Sequence, residues 1–145
     1  MKKVTIEMIK YQEKLEQIKM IRSCVFQEEQ GVDPALEFDG YDDICDHLLA
    51  YLNGEPVGTA RIRYIHEDTA KIERLAVLLT ARGQGIGTQL MEQALEIIAA
   101  KKTYKKIIVH AQVYIQSLYE KLGFKPVGDR FIEGSIVHIK MIKNL

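Results

Sequence analysis

Glycine occupies every second position in Arg82-Gly83-Gln84-Gly85-Ile86-Gly87-Thr88, and this run joins two segments of different periodicity. Before it, residues 70–77 read as a strand. After it, Ile86, Leu90, Met91, Ala94, Leu95 and Ile98 recur at helical spacing. The helix ends at Lys101-Lys102, which suits the negative pole of its dipole. A strand must therefore pass into a helix through a turn whose backbone carries almost no Cβ cover. Such a turn adopts positive φ without strain and lets another group approach the main chain closely.

The rest of the chain supplies a sheet for this turn to leave from. Val4, Ile6 and Met8 alternate with polar neighbours and predict a first strand. Leu15, Ile18, Ile21, Val25 and Phe26 predict one amphipathic helix over residues 13–30. Gly31, Pro34 and Gly40 then bracket a loop carrying Asp33, Glu37, Asp39, Asp42, Asp43 and Asp46. A solvated face is the usual role of such charge. Residues 47–52 and 56–65 predict a hairpin about Asn53-Gly54, and the 70–77 strand extends it into an antiparallel meander. Residues 107–112 read as a buried strand, and 114–122 as a short helix stopped by Gly123. Residues 124–127 and 136–142 close the chain. The order β-α-β-β-β-α-β-α-β-β predicts an α+β fold, one domain over residues 1–145 around a mixed, mostly antiparallel central sheet flanked by helices.

Composition narrows the partners. Twenty basic side chains balance twenty acidic ones, so no net field favours nucleic acid or anionic lipid. Cys24 and Cys45 lack close Cys or His companions, His47, His66 and His138 form no spaced ligand set, and the acidic loop does not match a calcium-loop pattern. No metal is expected. The apolar run after Lys2-Lys3 is broken by Glu7 and Lys10, and nothing approaches the ~20 apolar residues that span a bilayer. A cytoplasmic protein with reduced thiols and no membrane partner is expected. An exposed strand edge would offer a route to a homodimer.

Amides converging at a glycine-opened helix start bind anionic oxygen, above all a diphosphate. A Walker A loop needs a lysine that is absent here. A dinucleotide fingerprint needs G-x-G-x-x-G inside a βαβ unit, which the meander does not provide.

With those alternatives set aside, the chain resembles the GNAT superfamily of N-acetyltransferases. Arg82-Gly83-Gln84-Gly85-Ile86-Gly87 fits its [QR]-x-x-G-x-[GA] signature, and Leu118-Tyr119-Glu120-Lys121-Leu122-Gly123-Phe124 matches its second. Arg74-Leu75-Ala76-Val77 looks like the family's fourth strand. The segment with Glu29-Gln30-Gly31-Val32 and Glu37-Phe38-Asp39-Gly40 resembles a small bacterial branch whose acceptors are mostly unassigned. Gln112 stands where the family often has Asn.

The resemblance implies a sheet splayed between strands 4 and 5, with the pantetheine of acetyl-CoA lying in the gap. Backbone groups of Leu75, Ala76 and Val77 would pair with it, and a bulge near Leu75 would aim an N–H at the thioester carbonyl. Arg82, the amides of Gly83, Gln84, Gly85, Ile86 and Gly87, and the Thr88 hydroxyl would hold the diphosphate. Tyr119 is the candidate general acid for the departing thiolate, since a phenol is neutral at pH 7. Glu73 is the candidate base, with an ion pair to Arg74 or Lys71 as its alternative fate; His110 competes, although a lone histidine on a buried strand is more often a core residue. Glu28, Glu29 and Gln30, beside the acidic loop, are candidates for meeting a cationic amine, either a small molecule or a peptide. The implied activity is transfer of an acetyl group to a primary amine by direct attack in a ternary complex. A non-catalytic CoA-binding sensor on the same fold is the alternative.

Overall fold

In the computed structural model, which describes residues 2–145, seven strands build one sheet. They are β1 (Val4–Ile9), β2 (Asp46–Leu52), β3 (Glu55–His66), β4 (Thr69–Val77), β5 (Lys106–Gln112), β6 (Lys125–Glu133) and β7 (Ile136–Asn144), arranged β1-β2-β3-β4-β5-β7-β6. Only the β4–β5 pair is parallel; the meander β2-β3-β4 and the closing hairpin β6-β7 are antiparallel. Asn53 (φ 51°) and Gly54 (φ 87°) both take the left-handed conformation that a tight hairpin turn demands.

Alternation along β2 assigns the two faces. Leu48 and Ala50 join the core beneath helix α3 (Ile86–Ala100), where Ile86, Leu90, Met91, Ala94 and Ile98 are buried against Ile62, Ile72, Ile107 and Val109. Leu49 points the other way, into a second core with Ile21, Val25, Phe26 and Ala76. That core seats α1 (Leu15–Arg22). Ile18, Ile21, Leu49 and Leu90 are fully buried, each worth about 1.5–3 kcal/mol relative to exposure. No helix among the described residues is long and apolar enough to cross a membrane.

Three expectations are corrected. The helix expected over residues 13–30 starts as a tight 3₁₀ turn (Tyr11–Lys14), runs as α1, and widens into π-type turns over Ser23–Glu29, with Gln30 N–H donating to Val25 C=O at 3.1 Å. The widening carries Glu29 and Gln30 to the sheet's centre. β6 is longer than its short apolar start implies, because its later pairing depends on β7 rather than on its own pattern. The acidic loop is not a solvated face. Asp33 caps a short helix, α2 (Pro34–Glu37), and Glu37 and Asp42 are buried against arginines.

The sheet is open at one place. β4 and β5 pair only through Thr69–Lys106, Ala70–Ile107 and Lys71–Ile108. Beyond Lys71 they part, so the β4 edge from Ile72 to Val77 has no strand beside it. On its other side, β4 sets Arg74 and Leu75 against Ala60 alone, a bulge with Arg74 at φ 55°. A bulge increases local twist and turns the strand end away from its neighbour.

Candidate active site

A cavity of about 710 Å³ fills the gap between the parted strands and runs through the sheet. One mouth lies between the glycine turn and α4 (Gln116–Lys121), the other under the segment that follows α1. Leu75, Ala76, Val77, Arg82, Gly83, Gly85, Ile86, Gly87, Thr88, Tyr119, Glu73 and Gln30 all line it, so most of the residues singled out in the sequence meet in one place.

At the first mouth, Gly83 (φ 76°) and Gly85 (φ 78°) take backbone conformations that other residues rarely adopt, and Gly85 caps α3. A Cβ on Gly87 would stand 3.7 Å from Leu118 and 3.9 Å from Val77, across the passage between β4 and α4. The first turn of any helix leaves its N–H groups unpaired. Here the amides of Gly83, Gln84 and Gly85 also find no protein acceptor among the described residues. The outcome is a bare, electropositive cradle.

Arg82 is more constrained than the sequence implies. Its Nε donates to the Val77 carbonyl at 2.9 Å, and its two terminal nitrogens grip both Glu29 oxygens at 2.5 and 2.6 Å. The hydrogen bond from Arg82 holds the Glu29 carboxyl below its usual range. Gln30, next along the chain, exchanges amide hydrogen bonds with Gln112 at the end of β5 (3.0 and 3.3 Å) and donates to the Tyr114 hydroxyl at 3.4 Å. The end of the π segment thus spans from the glycine turn to β5. Of the three residues expected to meet an amine, only Gln30 lines the cavity. Glu29 is turned to Arg82, and Glu28 lies against Cys24 on the outer side.

Tyr119 lines the passage from α4, 6% exposed, its ring edge-on to Phe124 at 6.0 Å. Its hydroxyl bonds to no protein group among the described residues. Burial pushes the phenol above its ordinary value, so it stays protonated.

Glu73 is an ion-paired carboxylate. Arg61 (2.8 Å), Arg63 (2.8 Å) and Lys71 (3.1 Å) surround it. Burial alone would raise its pKa; the three cations outweigh burial and hold it at about 2. This is the alternative fate recognised in the sequence, with Lys71 and two arginines as partners. Arg74 turns instead to the Glu37 carbonyl (3.1 Å) and Asp39 (3.2 Å).

Nothing local in the sequence indicates how the second mouth is built. The β6–β7 hairpin folds beneath the loop after α1, and a Cβ on Gly134 would lie 3.3 Å from Val32. His110, on β5 just past the last β4 pairing, lines the cavity rather than the core. Its Nδ1 is 3.2 Å from Glu133 Oε2. Glu133 is 23 residues further along the chain, and nothing local to either residue announces the pairing.

These features define an acetyltransferase architecture, and residues 34–145 match the family model described as the acetyltransferase (GNAT) domain. The chain belongs to the GNAT family. It is 32% identical over 136 residues to the uncharacterised N-acetyltransferase YjcF of Bacillus subtilis, covering 93% of this chain and 96% of that one. It is 34% identical over 129 residues to ElaA of Escherichia coli, covering 86% and 84%. The ElaA crystal structure superposes with a TM-score of 0.85, at 29% identity over 97% of this chain and 99% of that one. The fold is shared more distantly with a GNAT acetyltransferase from Elizabethkingia anophelis carrying bound acetyl-CoA (TM-score 0.69, 22% identity, 98% of each chain).

Proposed function

We propose that this protein moves an acetyl group from acetyl-CoA to a primary amine by direct attack within a ternary complex. The observation that carries the reading is one passage that three features line together: unpaired amides at its first mouth, a free β4 edge along its wall, and the tyrosine hydroxyl of Tyr119, unpartnered among the described residues.

The chain fits the cofactor. The Gly83 to Thr88 amides suit a diphosphate, and any side chain at Gly87 would stand in the passage between Val77 and Leu118. Beyond Lys71 the strand edge supplies the main-chain partners that an added strand uses, with Leu75 and Ala76 the available stretch, since Val77 C=O is already taken by Arg82. An N–H at the Arg74-Leu75 bulge is suited to stabilise negative charge on the thioester oxygen, an effect of about 3–4 kcal/mol in comparable sites. Tyr119 gives its proton to the departing sulfur. The acceptor enters from the second mouth. In this reading the protein is cytoplasmic, uses no metal, and engages neither nucleic acid nor membrane.

Calorimetry with acetyl-CoA is the first test. Wild type is expected to bind, and Gly85→Ala to bind about tenfold more weakly: a left-handed residue with a Cβ costs about 1–2 kcal/mol, so the free turn relaxes out of the cradle conformation and binding must restore it. No affinity in folded wild-type protein would overturn the reading. The second test is CoA-thiol release with a panel containing a polyamine, an amino sugar, a peptide N-terminus and a lysine peptide. Tight binding without release for any amine would favour the sensor instead.

A further inference from the structure

We propose that His110, held by Glu133, is the base that takes the proton from the acceptor ammonium. This rests on the acetyl-transfer reading above and supplies the residue that reading lacks. An alkylammonium with pKa near ~10.4 is almost wholly protonated at pH 7 and cannot attack until it loses a proton. A base must therefore face the second mouth, where the acceptor enters.

The carboxylates at that end are occupied. Glu73 is held by Arg61, Arg63 and Lys71, and Asp39 by Arg61 and Arg74. Glu37 gives one oxygen to Arg22, and its other is sealed from solvent. A carboxylate so engaged takes up a proton only by giving up its ion pairs.

His110 is arranged differently. It stands on β5 two residues past Ile108, where β4 and β5 have just separated, with a side chain 27% exposed into the cavity. Glu133 Oε2 accepts from Nδ1–H at 3.2 Å, which fixes the tautomer and leaves the Nε2 lone pair free. Phe131, edge-on at 5.0 Å, limits rotation of the ring. The carboxylate that orients the imidazole also stabilises the imidazolium once it forms, the logic of a nucleophile-free dyad.

The charged groups facing His110 are Glu133 on β6, Lys71 and Glu73 on β4, and Lys140, its cross-strand neighbour on β7. His138, also on β7, is the rival. It stacks on Phe131, and its Nδ1 lies 2.8 Å from the Ile136 carbonyl. A carbonyl fixes a tautomer but carries no charge, and Glu133, whose carboxyl feels both histidines, hydrogen-bonds His110 alone. That difference selects His110.

Nε2 takes one proton from the ammonium, and the freed lone pair forms the C–N bond. The C–S bond breaks with its electron pair on sulfur, which takes the Tyr119 proton. The nitrogen then loses its surplus proton, which restores the phenol through solvent, and His110 releases its own to solvent.

The decisive measurement is kcat/KM against pH for wild type, His110→Gln, Glu133→Gln and His138→Gln, using whichever amine of the panel turns over, with acetyl-CoA affinity measured alongside. His110→Gln is expected to lower kcat/KM about 10²- to 10³-fold at pH 7. The deficit should shrink towards pH 10, where the free amine supplies itself. Glu133→Gln should move the acidic limb to lower pH, and His138→Gln should keep that limb. A merely structural histidine would give a loss that does not vary with pH. Turnover that survives His110→Gln with its pH profile intact, or a limb that vanishes in His138→Gln instead, overturns the assignment alone. Failure of wild type to acetylate any amine overturns the acetyl-transfer reading, and the assignment with it. An Nε2–H tautomer for His110 by nitrogen NMR would also sink it, whatever the activity.

Discussion

Tyr119→Phe is expected to lower kcat by about 10²- to 10⁴-fold while leaving acetyl-CoA affinity nearly unchanged. Phenylalanine keeps the ring, its burial and its edge-on contact with Phe124 at 6.0 Å. The hydroxyl it removes bonds to no protein group among the described residues, so the loss strands no partner and opens no cavity of consequence. What disappears is a buried neutral acid lining the passage, kept protonated by burial. The chemistry offers a specific check: an acetyl thioester with a much more acidic thiol leaves without a proton donor. The deficit of the variant should therefore fall steeply with such a donor. A kcat equal to wild type with acetyl-CoA would remove Tyr119 from the chemistry. An equal deficit with both donors would make it a packing residue.

How much of this is legible in the sequence depends on whether the signal is local. Gly83, Gly85 and Gly87 spell out a bare turn because each effect acts at its own residue, and the turn is found where residues 82–88 imply it. Asn53-Gly54 and the α3 stripe are legible for the same reason. The pairing of Arg82 with Glu29 joins residues 53 apart, and Gln30 meets Gln112 across 82. Their side chains meet only because α1 widens before reaching the sheet, and no periodicity of three or four residues encodes a π turn. The acidic loop misled for a related reason. Glu37 and Asp42 resemble solvated charge until Arg22 on α1 and Arg61 on β3 are brought beneath them. Arg22 and Arg61 interrupt otherwise apolar faces, and those interruptions are the trace the sequence held. His110 reads as a core histidine on a short apolar strand because nothing in residues 106–112 reveals that β4 has left that side of β5.

Arg61→Leu is expected to cost about 3–5 kcal/mol of stability at neutral pH, the range for removing one partner of a buried ion pair. In a domain of this size that lowers Tm by about 10 °C or more. Arg61 is fully buried and holds Asp39 through two hydrogen bonds (2.8 and 2.9 Å), Asp42 at 3.1 Å and Glu73 at 2.8 Å. Leucine fills part of the space but leaves three carboxylates short of a cation. Arg22 retains Asp42, and Arg63 and Lys71 retain Glu73, so Asp39, left with Arg74 alone, loses most. The pH dependence separates this cause from lost packing. In wild type, Glu73 titrates near 2 against an ordinary value of 4.5, and Asp39 is also depressed. A depressed folded value means stability that is complete above the unfolded pKa and lost as pH falls from about 4.5 towards 2. Without Arg61, burial is less opposed and the carboxyl values rise. The variant therefore sheds less stability on acidification, and its deficit narrows between pH 7 and pH 3. Urea unfolding of both proteins at those two pH values measures it. A deficit below about 1 kcal/mol at pH 7, or one that is the same at both pH values, would mean that Arg61 holds the loop by packing and not by charge.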